Sequence, residues 1–251
     1  MTRTFSLLLP EIFILPGTHV LLMCGRFSIA VRIGIFARRF GIEEPIDCAL
    51  PRYNIAPSEN VPVVFDEGAN RKVLMMRWGL IPSWTKRPGQ GPNPINARAE
   101  GLSDNNLYRD LIARGRCLVP ATGFYEWRTE GAKKTPFYIS KKDKSLFTMA
   151  GLYDTWKDPD GNEVRSFTVV TTIPNELVAP LHDRMPAILS SEGEENWAGR
   201  RDDITGIIND LLVPYPSGQM ESFEVARSVN NPANKTEAAV TRVRQGTLAG
   251  Y

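Results

Sequence analysis

A chain of 251 residues with 42% apolar and 23% charged residues is long enough for a sizeable core and ordinary in balance for a globular protein. Its formal net charge of +2 is too small to argue by itself for nucleic acid, and no stretch is long and apolar enough to span a bilayer. Three cysteines (Cys24, Cys48, Cys117) make no disulfide framework, so a reducing, cytoplasmic setting is expected. Two histidines (His19, His182) with no CxxC or HExxH spacing supply no zinc motif.

Residues 1–22, MTRTFSLLLPEIFILPGTHVLL, set a basic residue before an apolar run, as a signal peptide does. Pro10, Glu11 and Pro16 interrupt that run, and no small-residue cleavage site follows. Residues 1–23 are therefore expected to be a leader: a mis-assigned start or a removable extension. A strand is expected over 24–30, then a short amphipathic helix over 31–41 ending at Gly41. VPVVF (61–65) and VLMMRWG (73–79) read as strands, and 103–114 as a helix. The chain then returns to strand at RCLVPATGFYEWR, TPFYIS, LFTMAGLYDTW and SFTVVTT. Ser190 and Ser191 can cap a helix beginning SEGEENWAG, and a further helix is expected over 203–213. With no internal repeat and no linker, the pattern predicts one α+β domain, 24–235, built on mostly antiparallel sheet, and a loose tail over 236–251.

Charge is uneven along the chain. Between Gly68 and Ala99 there is no acidic residue, while Arg71, Lys72, Arg77, Lys86, Arg87 and Arg98 stand there with Trp78 and Trp84. Cations for phosphates and rings for base stacking are what a single-stranded nucleic acid groove needs. Buried tryptophans beside a solvated charged face would give the same composition, and the sequence leaves both readings open.

Four residues have candidate chemistry. Cys24 follows Met23, a plausible initiator. Removal of that Met would leave Cys24 with a free α-amine, whose pKa of about 7.7–8.0 makes it a far better nucleophile at neutral pH than an ordinary Lys. Such an amine condenses with an aldehyde, and the thiol beside it can then close a thiazolidine ring. An internal cysteine has only an amide nitrogen, and a lone Cys is also commonly a buried structural one. Glu126, set in GFYEWR among aromatics, would have its pKa raised by desolvation, which suits acid–base work; pairing with an Arg is the alternative. His182 in PLHDRMP is either an acid or base near neutral pH or a structural loop histidine. Asn96 in PINARAE can orient a nucleophile or cap a turn.

In chain order the sequence holds MCGRF, RYNIAPS (52–58), WGLIPSW (78–84), INARAE (95–100), GFYEW (123–127) and HDRMP (182–186). With these six motifs it resembles the SOS response-associated peptidase (SRAP) family across roughly residues 23–232. The resemblance implies a single SRAP domain with a barrel-like core and a few flanking helices. It implies a protein that binds single-stranded DNA and crosslinks to abasic sites through an N-terminal cysteine, with no metal or organic cofactor; a monomer is expected, though the sequence does not give the oligomeric state. On that pattern Cys24 is the nucleophile and Asn96, Glu126 and His182 complete the site, while Arg26, Trp78, Arg98, Trp127 and Arg184 fall at positions suited to DNA contact. His182 would help to open the sugar ring, Glu126 shuttle protons and Asn96 hold the N-terminus.

Overall fold

A computed structural model describes residues 24–43, 45–68, 70–87, 91–199 and 203–243. The expected leader, 1–23, lies outside the described residues. The first strand, β1 (Phe27–Ile29), leads into α1 (Ile33–Phe40). That helix buries Phe36 and Phe40, four residues apart on one face, and stops at Gly41, whose φ of 64° is left-handed and costs glycine nothing. Strands β2 (Arg52–Ile55), β3 (Asn60–Glu67), β4 (Asn70–Trp78) and β5 (Asn96–Arg98) follow, then α2 (Arg109–Arg114). The helix expected over 103–114 is only this last part. Asn105 Oδ1 accepts from the Leu107 N–H and holds the earlier residues in a turn.

Next come β6 (Arg116–Ala121), β7 (Gly123–Glu130), β8 (Lys133–Lys141), β9 (Phe147–Lys157), β10 (Glu163–Thr172), β11 (Met185–Pro186) and β12 (Ile188–Leu189). Helix α3 (Ser191–Ala198) is capped by Ser190 Oγ, and α4 (Ile204–Leu211) by Asp203. The last strand is β13 (Met220–Glu224).

Five strands close a barrel in the order β10–β4–β3–β6–β9, with β9 pairing back to β10. All these pairs are antiparallel except β4 with β10, joined at Arg77 opposite Ser166 and Trp78 opposite Phe167. Beyond Phe167 the same edge of β10 takes β5 instead, Asn96 opposite Val169 and Arg98 opposite Thr171. The barrel packs against a second sheet ordered β13–β8–β7–β1–β2. The sequence reads 116–128 as one strand, but it splits at Thr122 so that β6 belongs to the barrel and β7 to the second sheet. Thr122 Oγ1 accepts from the Ala30 N–H at 2.9 Å and shares a hydrogen bond with Ser28 at that corner. Gly123 is required there: a Cβ would lie 2.3 Å from the Tyr138 ring. The loose tail expected over 236–251 is ordered in its first part, where Glu237–Val240 forms a 3-10 turn with Ala239 buried and Val225 bridges Arg242; residues 244–251 lie outside the described residues.

Candidate active site at the junction of the two sheets

Cys24 sits just ahead of β1, where the second sheet meets the barrel, and is 4% exposed. Its backbone nitrogen lies 2.9 Å from Glu126 Oε1. The pleat of β7 explains why Glu126 is there. Alternate residues share a face, so Glu126 follows Phe124 to the side of the main core, while Tyr125 and Trp127 join a separate cluster with Tyr138 and Phe223. Burial pushes the Glu126 carboxyl up to about 7, against hydrogen bonds from the Cys24 thiol and nitrogen that pull it down. The Cys24 thiol is pushed well above its usual range, first by burial and then by the Glu126 charge. One carboxyl thus faces both reactive atoms of one residue. The φ of Cys24 is +36°, a left-handed value that costs a non-glycine residue about 1–2 kcal/mol.

The other wall is the turn at 182–185. Cys24 Sγ lies 3.9 Å from the Arg184 carbonyl, within reach of a weak S–H donor. The Arg184 N–H donates to His182 Nδ1 at 3.0 Å. Asp183 Oδ1 also stands 2.9 Å from that nitrogen. One nitrogen cannot accept from Arg184 and donate to Asp183 together, so the first contact needs Nδ1 without a hydrogen and the second needs one on it. The amide contact is the more firmly built, because the Asp183 side chain is 77% exposed. It leaves the neutral ring's proton on Nε2. Asn96 is on β5, on the same strand face as Arg98, and Arg98 is opposite Thr171, whose carbonyl accepts from Arg184. Asn96 is half-buried and at this end of the barrel.

The five residues expected at DNA are placed unequally. Trp78 needs a correction: it is fully buried, its Nε1 donates to the Ile95 carbonyl at 2.9 Å, and its ring packs between Phe27 and Phe167. A ring fully buried between Phe27 of the second sheet and Phe167 of the barrel cannot stack on a base. The exposed indole of WGLIPSW is Trp84, 64% exposed and followed by exposed Lys86 and Arg87. Its loop is pinned on either side, by the Ser83 N–H to Asp154 at 2.8 Å and the Trp156 Nε1 to the Thr85 carbonyl at 2.6 Å. Arg184 is 7% exposed and bound to Glu100, so its guanidinium is committed inside the protein. Arg26 reaches Asn54 and the carbonyls of Val229 and Asn230, and the half-buried Trp127 donates to Asn230 Oδ1. Arg98 is exposed.

The family model described as SOS response associated peptidase (SRAP) matches residues 23–232. The chain belongs to the SOS response associated peptidase family. The abasic site processing protein YoqW of Bacillus subtilis is 40% identical over 217 residues, 85% of this chain and 97% of that protein. The abasic site processing protein HMCES of Xenopus tropicalis is 33% identical over 224 residues, 77% of this chain and 66% of that one. Among solved structures, a protein from Bacteroides thetaiotaomicron matches with a TM-score of 0.76 and 30% identity, covering 88% of this chain and all of that one. In this member of the SOS response associated peptidase family, the motifs MCGRF, GFYEW and HDRMP meet at Cys24. Sequence reasoning missed Trp84 as the presented ring and Glu100 as the partner of Arg184. A signal for Glu100 was available, since it is the acid that ends the acid-free stretch.

Proposed function

We propose that this chain processes abasic sites, and that in its active form, which begins at Cys24, it binds single-stranded DNA and crosslinks to the lesion. The observation that carries the reading is the Cys24 nitrogen 2.9 Å from a carboxyl whose pKa is about 7. With a free α-amine at that nitrogen, the carboxyl is placed to take a proton from the α-ammonium and return it. The amine adds to the C1′ aldehyde of the opened sugar, water leaves, and an imine forms. The thiol then adds to the imine carbon. Its proton passes to the nitrogen by way of Glu126, and the five-membered thiazolidine closes without oxidation or reduction. His182 assists ring opening, and Asn96 holds the N-terminus. Trp84, Trp127, Arg26 and Arg98 supply the DNA-facing rings and cations.

An amide nitrogen at Cys24 is not basic and cannot condense with an aldehyde, so residues 1–23 are absent from the active protein. Two routes lead there: initiation at Met23 with loss of Met, or self-cleavage, in which Sγ attacks the Met23 carbonyl and water hydrolyses the resulting thioester. The positive φ of Cys24 is defined only while residue 23 is attached, so breaking the 23–24 bond by self-cleavage would release its strain.

A cysteine hydrolase acting on other proteins is the weaker reading. Such enzymes depend on a thiolate prepared by a neighbouring cation or histidine, whereas the Cys24 thiol is buried, raised in pKa and directed at a carbonyl. The test is crosslinking to an abasic oligonucleotide on a denaturing gel, with intact mass of the protein. A heat-stable adduct from chains starting at Cys24, and none from Cys24→Ala, is expected. Equal, wholly reversible binding by both would leave a non-covalent binding module and remove the proposal.

A further inference from the structure

Arg184 touches the site with its main chain and is held by its side chain. Its carbonyl receives the Cys24 thiol, and its N–H occupies His182 Nδ1. Its guanidinium, 9% exposed, is gripped by both carboxylate oxygens of Glu100 at 2.9 and 2.8 Å and by the Thr171 carbonyl at 2.6 Å. Nε, also buried, has no acceptor among the described residues. Glu100 therefore supplies two of the three anchoring contacts, in the paired geometry that fixes an arginine in angle as well as in distance. Its own carboxyl is drawn below the usual range, first by these hydrogen bonds. Glu100 comes from the 3-10 turn Ala99–Gly101, directly after β5, and Thr171 from β10. The two reactive side chains are thereby referred, through one residue, to the rigid wall of the barrel.

We propose that Glu100 is a positioning residue for the nucleophile: through the Arg184 guanidinium it fixes the Arg184 carbonyl, which orients the Cys24 thiol. This rests on the crosslinking reading given above and deepens it. It gives Arg184 an inward duty in place of a phosphate contact. It also separates the two chemical steps. The amine step uses the Cys24 nitrogen and Glu126, which Glu100 does not touch. Ring closure needs the thiol at the correct angle, and that angle is set by the Arg184 carbonyl. When the turn loosens, the imine still forms but closes slowly.

The test uses chains that begin at Cys24, reacted with excess abasic single-stranded oligonucleotide. Glu100→Gln, which keeps the shape and loses the charge, is compared with Glu100→Ala and Glu100→Asp. For Gln and Ala the maximal rate of heat-stable adduct formation should fall by about tenfold or more, the scale of a small misplacement of reacting groups. The DNA concentration at half-maximal rate should stay within about twofold. Borohydride should trap a larger share of the bound DNA as reduced imine than in wild type, and Asp should recover part of the rate. General destabilisation would lower trapped imine and stable adduct together, and that result overturns the proposal. So does a wild-type rate and partition in Gln and Ala, or a rise in the half-maximal concentration at unchanged maximal rate. A wild-type chain that forms no adduct removes the crosslinking reading itself, and this inference with it.

Discussion

Replacing Glu126 by Gln keeps the side chain's shape and an oxygen to accept the Cys24 N–H, and removes the titration. Burial raises the carboxyl from 4.5 to about 7. At about 1.36 kcal/mol for each tenfold change in proton affinity, this is worth about 3 kcal/mol of folding stability. The folded-state value is the higher one, so the native state holds this proton more tightly than the unfolded chain does. The contribution is fully present below about pH 4.5 and is lost as the pH rises through about 7. In urea titrations of the full 251-residue chain, wild type should therefore lose about 3 kcal/mol relative to Glu126→Gln between about pH 4.5 and about pH 8. A chain beginning at Cys24 should show a flatter profile, because an α-ammonium at that nitrogen favours the carboxylate and lowers its pKa. In crosslinking, the same variant should be slower by about 10²-fold, the usual cost of a lost general acid or base. A stability difference that does not change with pH in the full-length chain would refute the placement of a desolvated carboxyl beside Cys24.

Cys24→Ser with its N-terminus exposed should form only a reversible imine that borohydride traps; a heat-stable adduct equal to wild type would end the thiazolidine proposal. Trp84→Ala should weaken single-strand binding by about 1–3 kcal/mol if its ring stacks on a base, measured by fluorescence titration with the melting temperature unchanged, and Trp127→Ala should do the same with a lowered melting temperature, because that ring also packs in the Tyr125–Tyr138–Phe223 cluster. Trp78→Ala should instead cost about 3–5 kcal/mol of stability in a urea melt, and a normal melt with lost DNA affinity would contradict its place in the barrel. Non-covalent affinity should favour single strands over intact duplex and fall with salt as counterions are displaced; salt-independent binding to both would exclude the basic groove.

Much of the site was legible because its chemistry is concentrated in short motifs whose strand or turn setting follows from local pattern. GFYEW is the clearest case. Alternation alone puts Phe124 and Glu126 on one face, and a carboxyl sharing a face with core aromatics must be desolvated. The helix stop at Gly41 and the cap at Ser190 are equally local. Trp78 and Trp84 show what local pattern lacks. Both stand in one basic, aromatic motif, and which ring is buried depends on where β4 ends and the barrel closes through a parallel pairing to β10, a contact almost ninety residues away. Arg184 fails for the same reason. An arginine in a turn beside a candidate active site reads as a ligand contact until its partner Glu100 is placed by β5, a strand of three residues too short to announce itself. Strands β2, β11, β12 and β13 were also missed; they are short, and tertiary pairing rather than propensity makes them strands.

The position of Cys24 in the fold bears on the fate of residues 1–23. Strand β1 lies inside its sheet, between β7 and β2, and Cys24, three residues before it, is held by Glu126 on one side and the Arg184 carbonyl on the other. The four atoms that matter are the Cys24 nitrogen and sulfur and the two oxygens that hold them, one from Glu126 on β7 and one from Arg184 in the turn that leads into β11. A peptide bond and an imine at that nitrogen exclude each other, because both claim the same valence. On the crosslinking reading, attached residues 1–23 would block the chemistry, and should do so without weakening DNA binding. Full-length protein with residues 1–23 attached is expected to bind abasic single-stranded DNA with the affinity of the chain beginning at Cys24, yet to form no adduct until those residues are gone. Intact mass spectrometry of the crosslinked species decides the matter. If the adduct carries the mass of the full 251-residue chain, the amine is not the nucleophile, and the juxtaposition of Cys24 and Glu126 must serve a different reaction.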